Sequence, residues 1–252
     1  MEFDFLEIGL VIGAGIIAGF FNTVAGGGSL LTLPILIMYI GLPPSIANAT
    51  NRVAIFSQNV FAIAGFKSKG VSDFKYSLLL GISALLGAII GAKIAVDIKG
   101  ELFNRILAII MVAVVLLTLF KRKKAETDQS ESLTIPQKII TTVVFFLIGI
   151  YGGFIQAGVG FLIIAALTNL NGFSLIKTNA IKVFVVFIYT IAALLVFILE
   201  GQVNWIYGVI LAIGNSLGAW FASRWSVKKG DKVVGRILVV AVIILAVKLW
   251  FF

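Results

Sequence analysis

The segment that decides the fold is Phe74–Val96, FKYSLLLGISALLGAIIGAKIAV, a long apolar run whose only charges are Lys75 and Lys93. A helix rises about 1.5 Å per residue, so a run of this length crosses a hydrocarbon core of roughly 30 Å. Leu102–Phe120 is likewise apolar on every face, whereas a transmembrane β-strand would alternate strictly over roughly 10 residues. The sequence therefore predicts an all-α, polytopic membrane protein.

The composition excludes most other classes of protein. The 252 residues are 60% apolar and 12% charged, with a mean hydropathy of +1.13, whereas a soluble domain carries about 25% charged residues. The chain has no cysteine and no histidine, so we expect no metal site, no cofactor and no enzymatic activity. The net charge of +9 lies mainly in short loops, where it indicates membrane orientation rather than nucleic-acid binding. The expected partners are a lipid bilayer and a small anionic substrate, and a homodimer is left open.

Ten apolar segments are separated by glycine, proline and charge. They are Phe3–Val24, Ser29–Gly41, Ser45–Phe66, Phe74–Val96, Leu102–Phe120, Pro136–Ala157, Gly160–Asn171, Ser174–Leu199, Val203–Ser223 and Val233–Phe252. The second and seventh are too short to cross a membrane perpendicularly. Each follows a glycine-rich break, Ala25–Gly28 in the first case and Ala157–Gly160 in the second.

The recurrence of these breaks indicates a duplication. Aligning Gly70–Leu119 with Gly201–Trp250, without gaps, gives 11 identities in 50 positions. We therefore predict two transmembrane repeats, 1–120 and 136–252, joined by a hydrophilic linker, 121–135. Each repeat would hold a short helix pair broken by glycine and three full spans.

The distribution of Lys and Arg predicts the orientation. If each repeat crosses the membrane an odd number of times, loop Lys and Arg divide 14 to 4 between the two sides, whereas an even number gives 9 and 9. Cytoplasmic loops are enriched in these residues, which favours the odd count. The two repeats are then inverted, both termini lie outside and the linker is cytoplasmic. Inverted repeats of this kind are typical of secondary transporters, whose sites lie near the midplane between broken helices.

Two basic residues, Arg52 and Lys182, fall inside the spans. Each lies eight positions after the start of its helix, counted from Pro44 and Ser174, or about 12 Å into a core whose half-thickness is ~15 Å. We expect them to approach the midplane from opposite sides. An ionisable group at that depth costs at least ~2.5 kcal/mol and marks a functional site. All eleven acidic residues lie in loops or near span ends, so the two cations predict an anion that comes from outside the chain.

Neighbouring polar and glycine residues extend this prediction. Asn48, Arg52 and Asn59 share one helical face, and Lys182 shares a face with Thr178. The glycine breaks would offer backbone N–H groups at a helix N-terminus, which attracts anions, with Ser29 as the N-cap of the first short helix. The predicted substrate-binding residues are Asn22, Gly26, Gly27, Gly28, Ser29, Asn48, Thr50, Asn51, Arg52, Gln156, Gly158, Gly160, Thr178, Asn179 and Lys182.

A structural interpretation of the same residues stays open. Carbonyls of the broken segments, or a carboxylate, could satisfy Arg52 and Lys182. The polar residues could form interhelical hydrogen bonds, which are common in membrane proteins, and the glycine breaks could be interfacial turns between two ordinary crossings.

Four stretches carry a resemblance to a known family. They are GFFNTVAGGGSLLTLPIL (Gly19–Leu36), IANATNRVAIF (Ile46–Phe56), GGFIQAGVGFLI (Gly152–Ile163) and KTNAIKVF (Lys177–Phe184). With them the chain resembles the sulfite exporter TauE/SafE family over almost its whole length. The resemblance implies a prokaryotic plasma-membrane transporter, exporting or importing sulfite, sulfonates or related organosulfur anions. The second glycine motif is reduced here to Gly158–Gly160, and Lys182 stands where the family has a basic or polar residue.

The sequence thus favours a secondary transporter, acting as an exporter, that binds a small sulfur-containing anion at the midplane between the repeats. An anion channel with the same cationic centre, a transporter of another small organic anion such as a carboxylate, and a structural or assembly subunit are the alternatives. An intramembrane hydrolase usually needs a His-assisted Ser, paired Asp residues or a metal site, and the spans offer none of these.

Overall fold

The computed structural model describes residues 5–98, 102, 105, 106, 109, 133–237 and 240. Within these residues the structure contains helices and no strand, which confirms the predicted all-α class. The helices are α1 (Phe5–Val24), α2 (Ser29–Pro34, continued by a π-helical turn, Ile35–Tyr39), α3 (Pro44–Lys67), α4 (Phe74–Asp97), α5 (Ile135–Phe154), α6 (Val159–Asn171), α7 (Leu175–Leu199) and α8 (Trp205–Lys229).

Five helices of the described part, α1, α4, α5, α7 and α8, are long and apolar enough to cross a membrane. The more polar α3 has 24 residues, whereas α2 and α6 are short, as predicted. Large apolar side chains such as Leu10, Leu86 and Leu147 are exposed on the outer surface, where they can contact lipid. The predicted segments Leu102–Phe120 and Val233–Phe252, and the linker 121–135, lie mostly outside the described residues.

Side-chain caps explain where several helices begin. The carboxylate of Asp73 accepts a hydrogen bond from the N–H of Tyr76 at the start of α4, and Asn204 accepts one from Tyr207 at the start of α8. Such caps satisfy N–H groups that have no partner inside the helix. Pro34 has no N–H, and the α-helical geometry of α2 ends there and continues as a π-helical turn.

Left-handed turns recur at corresponding places in the two halves of the chain. Gly41 and Gly70 have positive φ, and so do Gly172 and Gly201, which lie 131 residues later, the offset of the alignment of the two halves. Gly26, with φ of 90°, is matched in the second half by Gln156, with φ of 65°, one position before the residue that the same offset gives. This recurrence supports the predicted duplication, while the repeat boundaries stay a prediction.

Two pairs of long helices each join one half of the chain to the other. Helix α1 packs on α8, where Gly19 lies against the backbone of Asn215, and α5 packs on α4, where Gly149 lies against the backbone of Ala84. Glycines allow helix backbones to approach this closely. Helices of one half therefore pack directly on helices of the other half.

Helices α3 and α7 lie against each other and run antiparallel. The Phe56 ring stacks on Phe187 with centroids 5.3 Å apart, and the Arg52 guanidinium lies 4.8 Å from the centroid of Phe197. Moving towards the start of α3 therefore means moving towards the end of α7. Inversion of the two halves as wholes, and the placement of both termini outside, stay predictions.

Candidate functional site

The side chain of Arg52 is fully buried and binds the C-terminal end of α5. Its Nη1 donates to Gly152 O at 3.0 Å and to Gln156 Oε1 at 2.8 Å. Its Nη2 donates to Gly153 O at 2.6 Å and to Phe154 O at 3.3 Å. Because the C-terminus of a helix carries a partial negative charge, the guanidinium caps α5 electrostatically as well as by hydrogen bonds.

Lys182 binds the C-terminal end of α1 in the same way. Its ammonium Nζ donates to Asn22 O at 2.9 Å, to Thr23 O at 2.8 Å and to Asn179 Oδ1 at 2.7 Å. The carbonyls of residues 22 and 23 end the first helix of the first half, just as those of 152 and 153, which Arg52 binds, end the first helix of the second half. Each cation therefore caps a helix of the other half of the chain.

Two asparagines beside the cations also bind helix ends of the other half of the chain. Asn48 Nδ2 donates to Phe154 O at the end of α5, and Asn179 Nδ2 donates to Val24 O at the end of α1, both at 2.9 Å. Carbonyls of the broken segments thus satisfy most of the polar hydrogens of both cations, as the structural interpretation of the sequence allowed. Across the described residues neither cation forms an ion pair with a carboxylate. Among the described residues, the C-terminal ends of α5 and α1 partly offset the positive charges of Arg52 and Lys182, and each end is equivalent to about half a negative charge.

The two cations do not meet at one point. The guanidinium of Arg52 lies over Phe197, which follows Lys182 on α7 by about four helical turns, or about 22 Å of rise. We expected the two charges to approach the midplane from opposite sides; α3 and α7 run antiparallel, and each cation lies eight positions after the start of its helix, counted from Pro44 and Ser174, while the depth of the charges in the membrane stays a prediction.

A small polar cavity lies beside Lys182, where the two glycine breaks face each other. Its volume is about 10 Å³, close to the space that one water molecule needs. The lining residues are Asn22, Ser29, Gln58, Asn59, Gln156, Val159, Gly160, Lys182 and Val186. The structure therefore brings together five of the residues predicted from the sequence, and we call this space the Lys182 cavity.

The two breaks touch through glycine next to this cavity. A Cβ added to Gly26, which also has φ of 90°, would lie 2.5 Å from the Cα of Gly160. A larger residue at either position would force the breaks apart. Gln156 has φ of 65°, which is uncommon for a residue with a side chain, and it is held there with its Oε1 bound to Arg52.

The chain matches the sulfite exporter TauE/SafE family over residues 11–249. It belongs to this family. It is 30% identical over 248 residues to the probable membrane transporter protein YfcA of Escherichia coli K12, covering 97% of this chain and 90% of the relative. It is also 30% identical to the probable membrane transporter protein ORF9 of a Sinorhizobium species, covering 94% and 89%. A third relative, the probable membrane transporter protein YunE of Bacillus subtilis, is 25% identical over 95% of this chain and 96% of its own length.

No solved structure matches the chain. The family and the apolar helices together show that this TauE/SafE protein is a multi-pass membrane transporter.

Other predicted residues of this TauE/SafE chain lie away from the cavity. Thr50 Oγ1 accepts a hydrogen bond from the N–H of Asn204, at 3.0 Å, and Asn51 Oδ1 accepts one from Thr32 Oγ1, at 2.7 Å. These contacts join helices. Thr178 is buried, and its Oγ1 has no hydrogen-bond partner within the described part of the chain.

The glycines of the two breaks have conformational roles. Gly28 packs against the α1 backbone and Gly27 O accepts from the N–H of Leu30, at 3.1 Å, while Gly158 is the left-handed N-cap of α6. The prediction that Ser29 caps α2 is wrong. The N-cap is Gly28, which has helical φ and ψ and makes no side-chain cap bond, so the Ser29 side chain already lies within the first helical turn.

Two amides of this TauE/SafE site, Gln58 and Asn215, were not identified from the sequence. Gln58 Oε1 accepts hydrogen bonds from Asn22 Nδ2 and from Asn215 Nδ2, each at 3.2 Å. This network joins α1, α3 and α8 at the wall of the Lys182 cavity. The available signal was the pair of adjacent amides, Gln58 and Asn59, in the middle of a helix flanked by apolar spans.

Proposed function

We propose that the protein exports small sulfur-containing anions, such as sulfite or sulfonates, across the plasma membrane, and that the anion binds beside Lys182. The observation that carries this proposal is a buried ammonium at a polar cavity, with no carboxylate bound to it among the described residues. The TauE/SafE family supports sulfur oxyanions as the class of substrate.

The electrostatics of the cavity favour a negatively charged ligand. A charge at the centre of a span costs at least ~2.5 kcal/mol by insertion scales, and the end of α1 offsets it with only about half an elementary charge. The oxygens of a sulfite or sulfonate can replace the carbonyl oxygens of Asn22 and Thr23 as acceptors from the ammonium. The anion then supplies a full negative charge where the helix supplies a partial one.

The size of the cavity favours a carrier over an anion channel. A space of about 10 Å³ holds roughly one water molecule, so a sulfite ion enters only after the two glycine breaks separate. A carrier passes through closed states of this kind between its two open states. In an inside-negative cell, export of an anion is favoured by about 2.3 kcal/mol per charge per 100 mV, so export needs no coupled ion.

Flux measurements in proteoliposomes test this proposal. We expect radiolabelled sulfite to be taken up with saturable kinetics and to show counterflow when unlabelled sulfite is trapped inside. Lys182→Gln should lower the initial rate at least tenfold. Lys177→Gln is the matched control, because that lysine pairs with Asp73 at 3.8 Å near the start of α7 and does not line the cavity. Non-saturating flux without counterflow would indicate a channel, and unchanged flux in Lys182→Gln would contradict the proposed site.

A further inference from the structure

We infer that Gln58 is an anion ligand, whose side-chain amide is oriented by Asn22 and Asn215 so that its NH₂ group faces the Lys182 cavity. The inference rests on the proposed function and names a substrate-binding residue within that site. It also assigns Asn215, on α8, as a positioning residue.

Two hydrogen bonds orient the amide of Gln58. Asn22 Nδ2 and Asn215 Nδ2 both donate to Oε1, each at 3.2 Å, and an amide oxygen has two lone pairs. With both asparagines oriented as they are, rotation of the Gln58 amide by half a turn would place its NH₂ group against two other NH₂ groups and would break both bonds. Because Oε1 is fully used, Nε2 is the part of the side chain that remains able to bind a ligand.

The NH₂ group of Gln58 has no acceptor among the residues that the structure describes, although the Gln58 side chain is buried. It belongs to a residue that lines the same cavity as Lys182. The amide N–H lacks an acceptor, and the ammonium, whose three N–H groups bind Asn22 O, Thr23 O and Asn179 Oδ1, can donate to a ligand oxygen in place of these carbonyls, so both groups require an acceptor when a ligand binds. An oxyanion meets this requirement with several oxygens, whereas a cation does not.

A second glutamine, from the other half of the chain, contributes a similar group. Gln156 Oε1 accepts from Arg52 Nη1 at 2.8 Å, which leaves Nε2 with a long contact of 3.4 Å to Thr190 Oγ1. Arg52 thus acts on the cavity as a positioning residue for Gln156, which lines the same cavity as Lys182.

Binding of sulfite to the purified protein tests the role of Gln58. Gln58→Glu keeps the length of the side chain and an acceptor for Asn22 and Asn215, but replaces the NH₂ group by a carboxylate oxygen. We expect sulfite to bind at least tenfold more weakly to this variant, as measured by isothermal titration calorimetry.

Asn215→Ala is the second variant, because it changes the orientation of Gln58 without changing Gln58 itself. Alanine fits at this position, since Ala84 packs against Gly149 in the pair of helices that corresponds to Asn215 against Gly19. We expect at least a threefold loss of sulfite affinity. Ser57→Ala is the matched control: it removes the 2.8 Å hydrogen bond to Ser216 on the same α3–α8 interface, outside the cavity, and should bind sulfite as the parent does.

The outcomes separate this inference from the proposed function. If Lys182→Gln loses sulfite binding while Gln58→Glu and Asn215→Ala bind like the parent, the site stands and Gln58 is not a ligand. An equal loss in Ser57→Ala would attribute the effect to helix packing and would also overturn the inference. If the parent binds neither sulfite, thiosulfate nor methanesulfonate, the proposed function and the inference both fail.

Discussion

Replacing Arg52 by Gln removes the charge that joins α3 to the end of α5. Three of its hydrogen bonds, to Gly152 O, Gly153 O and Gln156 Oε1, are 3.0 Å or shorter and buried. Bonds to a charged group contribute about 1.5–3 kcal/mol each, so these three give roughly 5–9 kcal/mol. Removing the charge recovers about 3 kcal/mol of the cost of burying it in a membrane. We therefore expect Arg52→Gln to lower the free energy of unfolding by about 2–6 kcal/mol.

Thermal unfolding in detergent measures this loss. For a chain of this length about 1 kcal/mol corresponds to 2–4 °C, so the Tm of Arg52→Gln should fall by at least about 4 °C. Lys177→Gln is the control for charge removal, because its partly exposed pair with Asp73 is 3.8 Å long and such pairs contribute about 1 kcal/mol or less. A Tm for Arg52→Gln within about 1–2 °C of the parent's would refute the capping role that we assign to the guanidinium.

Two other predictions concern the breaks and the start of α7. Gly160→Ala should abolish sulfite transport, because the added methyl group would overlap the backbone of Gly26. Gly172→Ala is the control: the position has open space and φ of 67°, so this variant should lose only about 1 kcal/mol of stability from backbone strain and keep transport. Equal transport rates in the two variants would contradict the close contact of the breaks. Asp231→Ala should destabilise the protein by about 0.5–2 kcal/mol, because the carboxylate accepts from the N–H groups of Leu175 and Ile176 at 3.0 and 2.9 Å, and an unchanged Tm would show that this cap contributes nothing.

The helices could be predicted from the sequence because lipid imposes a simple rule on them. Apolar runs of about 20 residues must be helical to satisfy their backbone in a bilayer, and the observed bounds of α4, Phe74–Asp97, differ from the predicted ones by a single residue. Glycine breaks also appear where expected, since no long helix passes through Ala25–Gly28 or Ala157–Gly160. The partners of the polar residues between the two breaks depend on how the helices pack, which the apolar pattern of the sequence does not specify.

The arrangement of the site could be predicted only in part. Counting residues from the start of each helix placed Arg52 and Lys182 at similar depths, but the count says nothing of where a long, flexible side chain points. Each side chain reaches the end of a helix from the other half of the chain, so the two cations bind two different helix ends. Gln58 was missed because its role depends on two partners 36 and 157 residues away.

The most direct measurement of the central claim is a crystal structure of the protein with selenite, the selenium counterpart of sulfite, located by its anomalous scattering. We predict a selenium peak in the enlarged Lys182 cavity, with selenite oxygens about 2.7–3.2 Å from Lys182 Nζ and Gln58 Nε2. A selenite ion bound elsewhere, with Lys182 still donating to the carbonyls of Asn22 and Thr23, would contradict the account.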